Sequence, residues 1–208
     1  MNARLAALAC AGVLGLSQTA FAAAEYGSVN DTEYQQIVKD LEAKPSLMAD
    51  RPELARRLTT AQLDQLTRDM GLNPYAWVAP VVVSAKQADK LAGHDIADIS
   101  VMAVRAGKLV PIPFQIDERD QDGWVYVDGV SKTELDGAAG KFDAKDEIVF
   151  MHRDTGKEQY NAATMPLADG KIVQEVSLSD NGSTRYAYLV TGSKARDPAR
   201  YVKYDEST

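Results

Sequence analysis

A mostly β fold is what this sequence predicts: an antiparallel barrel or sandwich of about eight short strands, preceded by a small α-helical extension. Three observations carry that expectation. From Tyr75 onward, β-branched and aromatic residues gather in short runs broken by Gly, Asp and Asn, with no helical period between them. Within that region, Leu109 to Gly129 reads LVPIPFQIDERDQDGWVYVDG, two strand-like runs flanking a polar connection in which Asp117, Glu118, Asp120 and Asp122 are carboxylates. Before it, from Asn30 to about Gly71, apolar residues recur at helical spacing instead.

The first 24 residues stand apart from the fold. Asn2 and Arg4 make a short positive start, Leu5 to Leu16 is an apolar stretch too short to span a bilayer, and Ala20-Phe21-Ala22 or Ala22-Ala23-Ala24 offers a small-x-small cleavage pattern. This is the pattern of a cleaved secretory signal, and Cys10 reads as a cysteine within its apolar core. The expected organisation is therefore a signal over 1–24, a helical extension over 25–74 and a β domain over 75–208. Cys10 is the sole cysteine of the 208 residues, so beyond the signal an apolar core has to supply the stability. A chain of this length can bury one. The formal net charge of −7 becomes about −8 once Arg4 is removed. Such a field repels phosphate backbones and anionic lipid headgroups, which argues against nucleic acid and the membrane surface as partners. No later stretch is long and apolar enough to span a membrane.

Asn30 with Glu33 has capping-box spacing, and Tyr34, Ile37, Val38 and Leu41 follow as one stripe until Pro45 ends the helix. Asp50, Pro52 and Glu53 start a second helix carrying Leu54 and Leu58. Thr60 caps a third with Leu63, Leu66 and Met70 on one side, and Gly71 stops it. With narrow stripes and many charges, these helices are expected to bury little by themselves and to lie on the outside. The expected strands are Trp77 to Ser84, Asp98 to Val104, Leu109 to Ile116, Trp124 to Val127, Glu147 to Met151, Ile172 to Leu178, Arg185 to Val190 and Tyr201 to Tyr204. Ala106-Gly107-Lys108 is a tight-turn candidate, and Pro111 and Pro113, which cannot donate to a ladder, belong at an edge or a bulge. Because the chain stops directly after a strand-like run, it reads as a short form or as a piece of something longer.

Chemistry-bearing residues are sparse. Glu118-x-Asp120-x-Asp122-Gly123 spaces three carboxylates as oxygen ligands wrap calcium, although Gly129 stands where the closing glutamate of such a loop belongs. A solvated hairpin turn accounts for the same residues. Asp154-Thr155-Gly156 is the tripeptide of aspartic proteases, but no second copy supplies the other carboxylate, and a turn after Met151 explains it equally. His94 and His152 are the only imidazoles, neither in a zinc-type spacing, and no G-x-S-x-G elbow is present. Trp77, Trp124, Tyr126, Tyr186 and Tyr188 could stack on sugar rings if displayed. Core is the ordinary place for such side chains.

Val110-Pro111-Ile112-Pro113-Phe114-Gln115-Ile116-Asp117-Glu118 resembles the "P-x-Q-x-D" strand of RIFT-related β-barrel domains, including those at the N-terminus of some exported polysaccharide lyases. Phe142 to Gly156, Tyr186 to Leu189 and Tyr201 to Asp205 are similar to segments of large exported bacterial proteins carrying that domain. The resemblance runs roughly from Val81 to the end. It implies a domain type and no activity, because the chemistry of those lyases belongs to a helical domain that follows.

These readings converge on an exported, periplasmic or secreted, non-catalytic β module that binds carbohydrate or an envelope component. The expected ligand-binding residues are Gln115, Asp117, Glu118, Trp124 and Tyr126, and the expected calcium ligands, if the ion is present, are Glu118, Asp120 and Asp122. One alternative is the N-terminal part of a carbohydrate-active enzyme such as a polysaccharide lyase, with Asp117 and Glu118 facing Asp146 and Glu147 across one cleft. Another is a calcium-stabilised structural protein.

Overall fold

Asn30 opens the first helix as its capping pattern predicts. Its side chain accepts from the Glu33 amide at 3.0 Å while the Glu33 carboxylate accepts from the Asn30 amide at 3.2 Å. The structure, a computed structural model, describes residues 27–180 and 182–201. The expected signal segment and residues 202–204 of the last expected strand lie outside these residues.

Helices α1 (Asp31–Ala43), α2 (Leu47–Asp50), α3 (Glu53–Arg57), α4 (Thr60–Asp69) and α5 (Pro74–Val78) make up the N-terminal part. The cap of α4 is Thr59, one residue earlier than expected, because Gln62 completes the reciprocal pair with it. Gly71 follows at φ +67°, a left-handed conformation suited to glycine. Trp77 to Ser84, expected as one strand, splits. Asn73 caps α5 by accepting from the Ala76 amide at 2.7 Å, with Pro74 in the first turn, and the strand begins only at Pro80. That split corrects the view that the helices bury little. Tyr34, Ile37, Leu41, Leu54, Leu66, Met70 and Trp77 belong to one buried cluster, so narrow stripes from several short helices converge on a core of their own.

Seven strands follow: β1 (Pro80–Ser84), β2 (Ile99–Arg105), β3 (Lys108–Pro111), β4 (Phe114–Asp117), β5 (Glu147–Met151), β6 (Lys171–Asp180) and β7 (Ser183–Thr191). They form a three-stranded sheet, β1-β5-β4, and a four-stranded sheet, β3-β2-β7-β6, with every pairing antiparallel. Ala106 and Gly107, at φ 47° and 70°, turn β2 into β3 as the tight hairpin requires. The run Leu109 to Ile116, expected as one strand, is shared between the two sheets. Ile112 and Pro113 make the buried corner, and Pro111 ends an edge strand.

Val101, Ala103, Ile112, Ile148, Phe150 and Leu189 fill the space between the sheets. The result is sandwich-like. Neither sheet closes into a barrel, and with five helices the described residues make a mixed α and β fold, so the mostly β expectation was too strong. Trp124 to Val127 gains only an isolated bridge, Arg119 to Val125, because neither sheet takes it in as a strand.

Candidate functional site

The three-stranded sheet is covered on one face. Along β5, Ile148 and Phe150 point into the core and Glu147, Val149 and Met151 point the other way, as a period of two demands. Register then fixes the rows of the outer face: Val82, Val149 and Gln115 in one, Ser84, Glu147 and Asp117 in the next. Val82 is 48% exposed there. Gln115 donates its amide to Asp117 Oδ1 at 2.9 Å, and Arg119 forms an ion pair with Glu147 while donating to the Gly123 carbonyl at 3.4 Å. A polar row thus leads from the middle of the sheet to the loop that carries Trp124.

That loop is built from beneath by carboxylates turned inward. Asp120, buried, accepts from the amides of Trp124 at 2.9 Å and Asp122 at 3.1 Å, while its own amide donates to the Trp124 carbonyl at 2.8 Å. Burial alone would push Asp120 up, but these amides outweigh it and hold the carboxyl below its usual range. Glu118 Oε1 accepts from the Gly140 amide at 2.7 Å. Asp146, buried, accepts from the amides of Arg119 and Asp143 at 3.2 and 2.9 Å, and burial pushes it up to about 6. On this frame Trp124 is 74% exposed, with Val125, Val127 and Val130 exposed beside it in the chain, whereas Tyr126 is half-buried.

At the other end of the face, a groove of about 750 Å³ lies between β4, β5 and the extended segment 196–201, with Phe114, Gln115, Val149, Met151 and Tyr201 among its lining. A smaller cleft of about 350 Å³ shares Pro113 and Arg196–Pro198 with it and reaches Arg105, Asp154 and Ser46 of the helical part.

Of the five expected ligand-binding residues, Gln115 lines the groove, Asp117 neighbours it on the sheet face, Glu118 braces the loop, Trp124 is displayed, and Tyr126 is partly covered. The two acidic segments proposed for an enzyme do meet, since Asp117 pairs with Glu147 across the sheet. They meet on a face, and neither of the two larger clefts is lined by Asp117, Glu118, Asp146 or Glu147. For calcium, two of the expected ligands, Glu118 and Asp120, have carboxylates engaged by backbone amides, and among the described residues no group of three or more His, Cys, Asp or Glu side chains could hold a metal ion.

A junction that the sequence reading did not single out sits behind this face. Arg185, 2% exposed, donates to the carbonyls of Met70 at 2.7 Å and Arg153 at 3.1 Å, to Thr155 Oγ1 at 3.0 Å and, more closely still, to the Thr155 carbonyl. It ties the C-terminal cap of α4 to the turn after β5, where a cation also suits the helix dipole. Asp154-Thr155-Gly156 is part of this junction. A side chain on Gly156 would meet the Val104 carbonyl at 2.7 Å, and Thr155 is fully buried, so packing dictates the tripeptide. His152 is also buried; desolvation and the Arg185 charge hold its pKa down. The signal for Arg185 was present: it lies two and four residues from the core positions Ala187 and Leu189, on their face of β7.

Among the described residues no helix is long and apolar enough to cross a membrane. Comparison with protein-family models, with curated proteins and with solved structures finds no match.

Proposed function

We propose that this chain is an exported, periplasmic or secreted module that binds a carbohydrate or another envelope component on the open face of the three-stranded sheet, without catalysing a reaction. Its export is read from the N-terminal pattern of positive start, apolar core and small-x-small site, and its domain type from the resemblance to RIFT-related domains. One observation carries the binding reading: Trp124 is 74% exposed on a loop held in place by the inward carboxylate of Asp120. A flat aromatic face offered on a fixed support loses little conformational freedom when a sugar ring stacks on it, and its indole N–H remains available to a hydroxyl. Gln115 and Asp117 supply the directional polar groups that such a site needs. The charges beside them are matched, Glu147 by Arg119, so the row suits a hydroxyl-rich ligand better than a formal ion.

The test is a glycan array followed by calorimetry with the best-retained oligosaccharide. Trp124→Ala is expected to weaken binding roughly tenfold or more, since stacking and burial of the ring are both lost, with no change in the melting midpoint. Equal binding by the variant, or retention of no glycan by the unaltered protein, overturns the proposal.

A further inference from the structure

Positive and negative side chains are not spread evenly over this molecule. The chain carries 30 acidic against 23 basic side chains, yet around the turn after β5 and the segment 193–201 the balance is reversed. Arg105, Arg153, Arg185, Arg196 and Arg200 stand there with Asp154 and Asp197. Two further acids near these arginines are matched by lysines, Glu42 by Lys157 at 2.9 Å and Asp98 by Lys194 at 3.8 Å. Among the described residues, none of the five guanidiniums makes an ion pair with a carboxylate. A covered charge without a counter-charge is costly, so the place where it meets a cavity is where an anion gains most.

Two of the five share the smaller cleft of about 350 Å³. Arg105, on β2, donates to the carbonyls of Val104, Asp154 and Thr155. Arg196 donates in the same way to those of Ala195, Ile96 and Ala97, with its guanidinium 4.9 Å over the Phe114 ring. A guanidinium has five N–H donors in one plane, so three carbonyls leave each of them two to spare, the Nε–H among them. The carbonyls hold both planes in place without cancelling either charge. Burial disfavours the charged form and lowers the pKa of both groups. The two carboxylates of the cleft are engaged: Asp154 accepts from the Tyr201 hydroxyl on both oxygens, at 2.7 and 2.8 Å, and Asp197 from the Ala199 amide at 2.8 Å and Ser46 at 3.4 Å. Lys44 at the rim is paired with Asp50 at 3.1 Å. Much of the remaining lining is apolar, with Pro45 from the helical part and Val110, Pro111, Ile112 and Pro113 from the run that links the two sheets.

We propose that this cleft binds a small organic carboxylate, its charged head taken by the spare N–H groups of Arg105 and Arg196 and its apolar body laid against Pro45 and residues 110–113. A planar carboxylate matches the geometry of a guanidinium fork, and the hydrogen bonds it accepts there are charge-assisted. An apolar wall with a few fixed polar groups at one side is the ordinary form of a small-molecule site, and the volume lies within the usual range. A bare inorganic anion meets the same N–H groups but leaves the apolar wall in water. The site is separate from the open sheet face: Gln115, Asp117 and Trp124 do not line it, so neither reading depends on the other.

The test is a titration of the full chain with hexanoate, read on the arginine Nε–H signals of isotope-labelled protein. Saturable shifts of the Arg105 and Arg196 signals are expected, with a dissociation constant of about 1 mM or below. Hexanamide, the same body without the charge, and inorganic phosphate, a charge without the body, are each expected to bind at least about tenfold more weakly. Arg196→Gln leaves Arg105 and its carbonyls in place and is expected to weaken hexanoate about tenfold. Val110→Glu, on half-buried β3, puts a competing carboxylate into the cleft with both arginines intact, and is expected to weaken hexanoate at least as much. The backbone amide spectrum of each variant shows that it is folded. No saturable shift up to about 50 mM hexanoate, binding of hexanamide or phosphate as tight as that of hexanoate, or undiminished binding in either folded variant overturns the proposal.

Discussion

The two sheets are made of the same antiparallel pairs yet have different surroundings. In the four-stranded sheet, β2 reads Ile-Ser-Val-Met-Ala-Val, and all six of these residues are buried. One face meets the other sheet, and on the opposite face Met102, Val104, Tyr188 and Val190 are covered by Tyr160, Met165, Leu167 and Ala195. In the three-stranded sheet, β5 alternates buried and half-buried residues because only one face is covered. A continuous apolar run marks a strand enclosed on both sides and an alternating run one enclosed on a single side. The difference separates two roles: the enclosed sheet and its junction hold the fold, and the open sheet leaves side chains such as Val82 exposed, where the proposed binding would take place.

The sharpest way to break that separation is to exchange the roles by mutation. Arg185→Ala strands the carbonyls of Met70, Arg153 and Thr155 in a buried site, and a loss of about 3–5 kcal/mol in urea-unfolding free energy is expected. Next comes Leu189→Ala, in the enclosed core, at about 2–5 kcal/mol. Its counterpart on the open face, Val82→Ala, is expected to stay within about 0.5 kcal/mol. If Val82→Ala proved as damaging as Leu189→Ala, the outer face would have to be a packed surface, and the assignment of tasks would be wrong.

What could be read from the sequence was what neighbours dictate. Asn30 with Glu33, the Ala106-Gly107 turn and the strand Glu147 to Met151 depend on interactions within a few residues or on a single run of β-formers, and each appears as expected. Asn73-Pro74 also carried a helix start, overlooked because Trp77, Val78 and the valines after them look strand-like. Trp124 to Val127 has strand composition, but a strand needs a neighbour, and the two sheets offered it none. Arg185 and Met70 are 115 residues apart, and no local pattern encodes their meeting. Gln115 and Trp124 were legible as ligand candidates because they lie in the one stretch where polar and aromatic residues are concentrated. Their supports, Asp120 and Asp146, were legible only as carboxylates, since nothing local says that a carboxylate turns inward to hold amides.

A further expected effect comes from pH, and it involves both regions. Asp146 lies under the open loop and Asp154 at the junction, and burial raises both to about 6 from an ordinary aspartate value near 3.8. The folded state therefore binds protons more tightly than the unfolded chain. The stability these groups contribute is fully present below about pH 3.8 and is lost as pH rises through about 6. For Asp154, which is almost fully buried, the loss is on the order of 1–3 kcal/mol. Urea midpoints are thus expected to lose this contribution between about pH 4 and about pH 6.5, and Asp154→Asn to remove roughly its own share of that loss. If the urea midpoint of Asp154→Asn falls as steeply with pH as that of the unaltered protein, the Asp154 carboxyl is not the group whose proton is lost in this range.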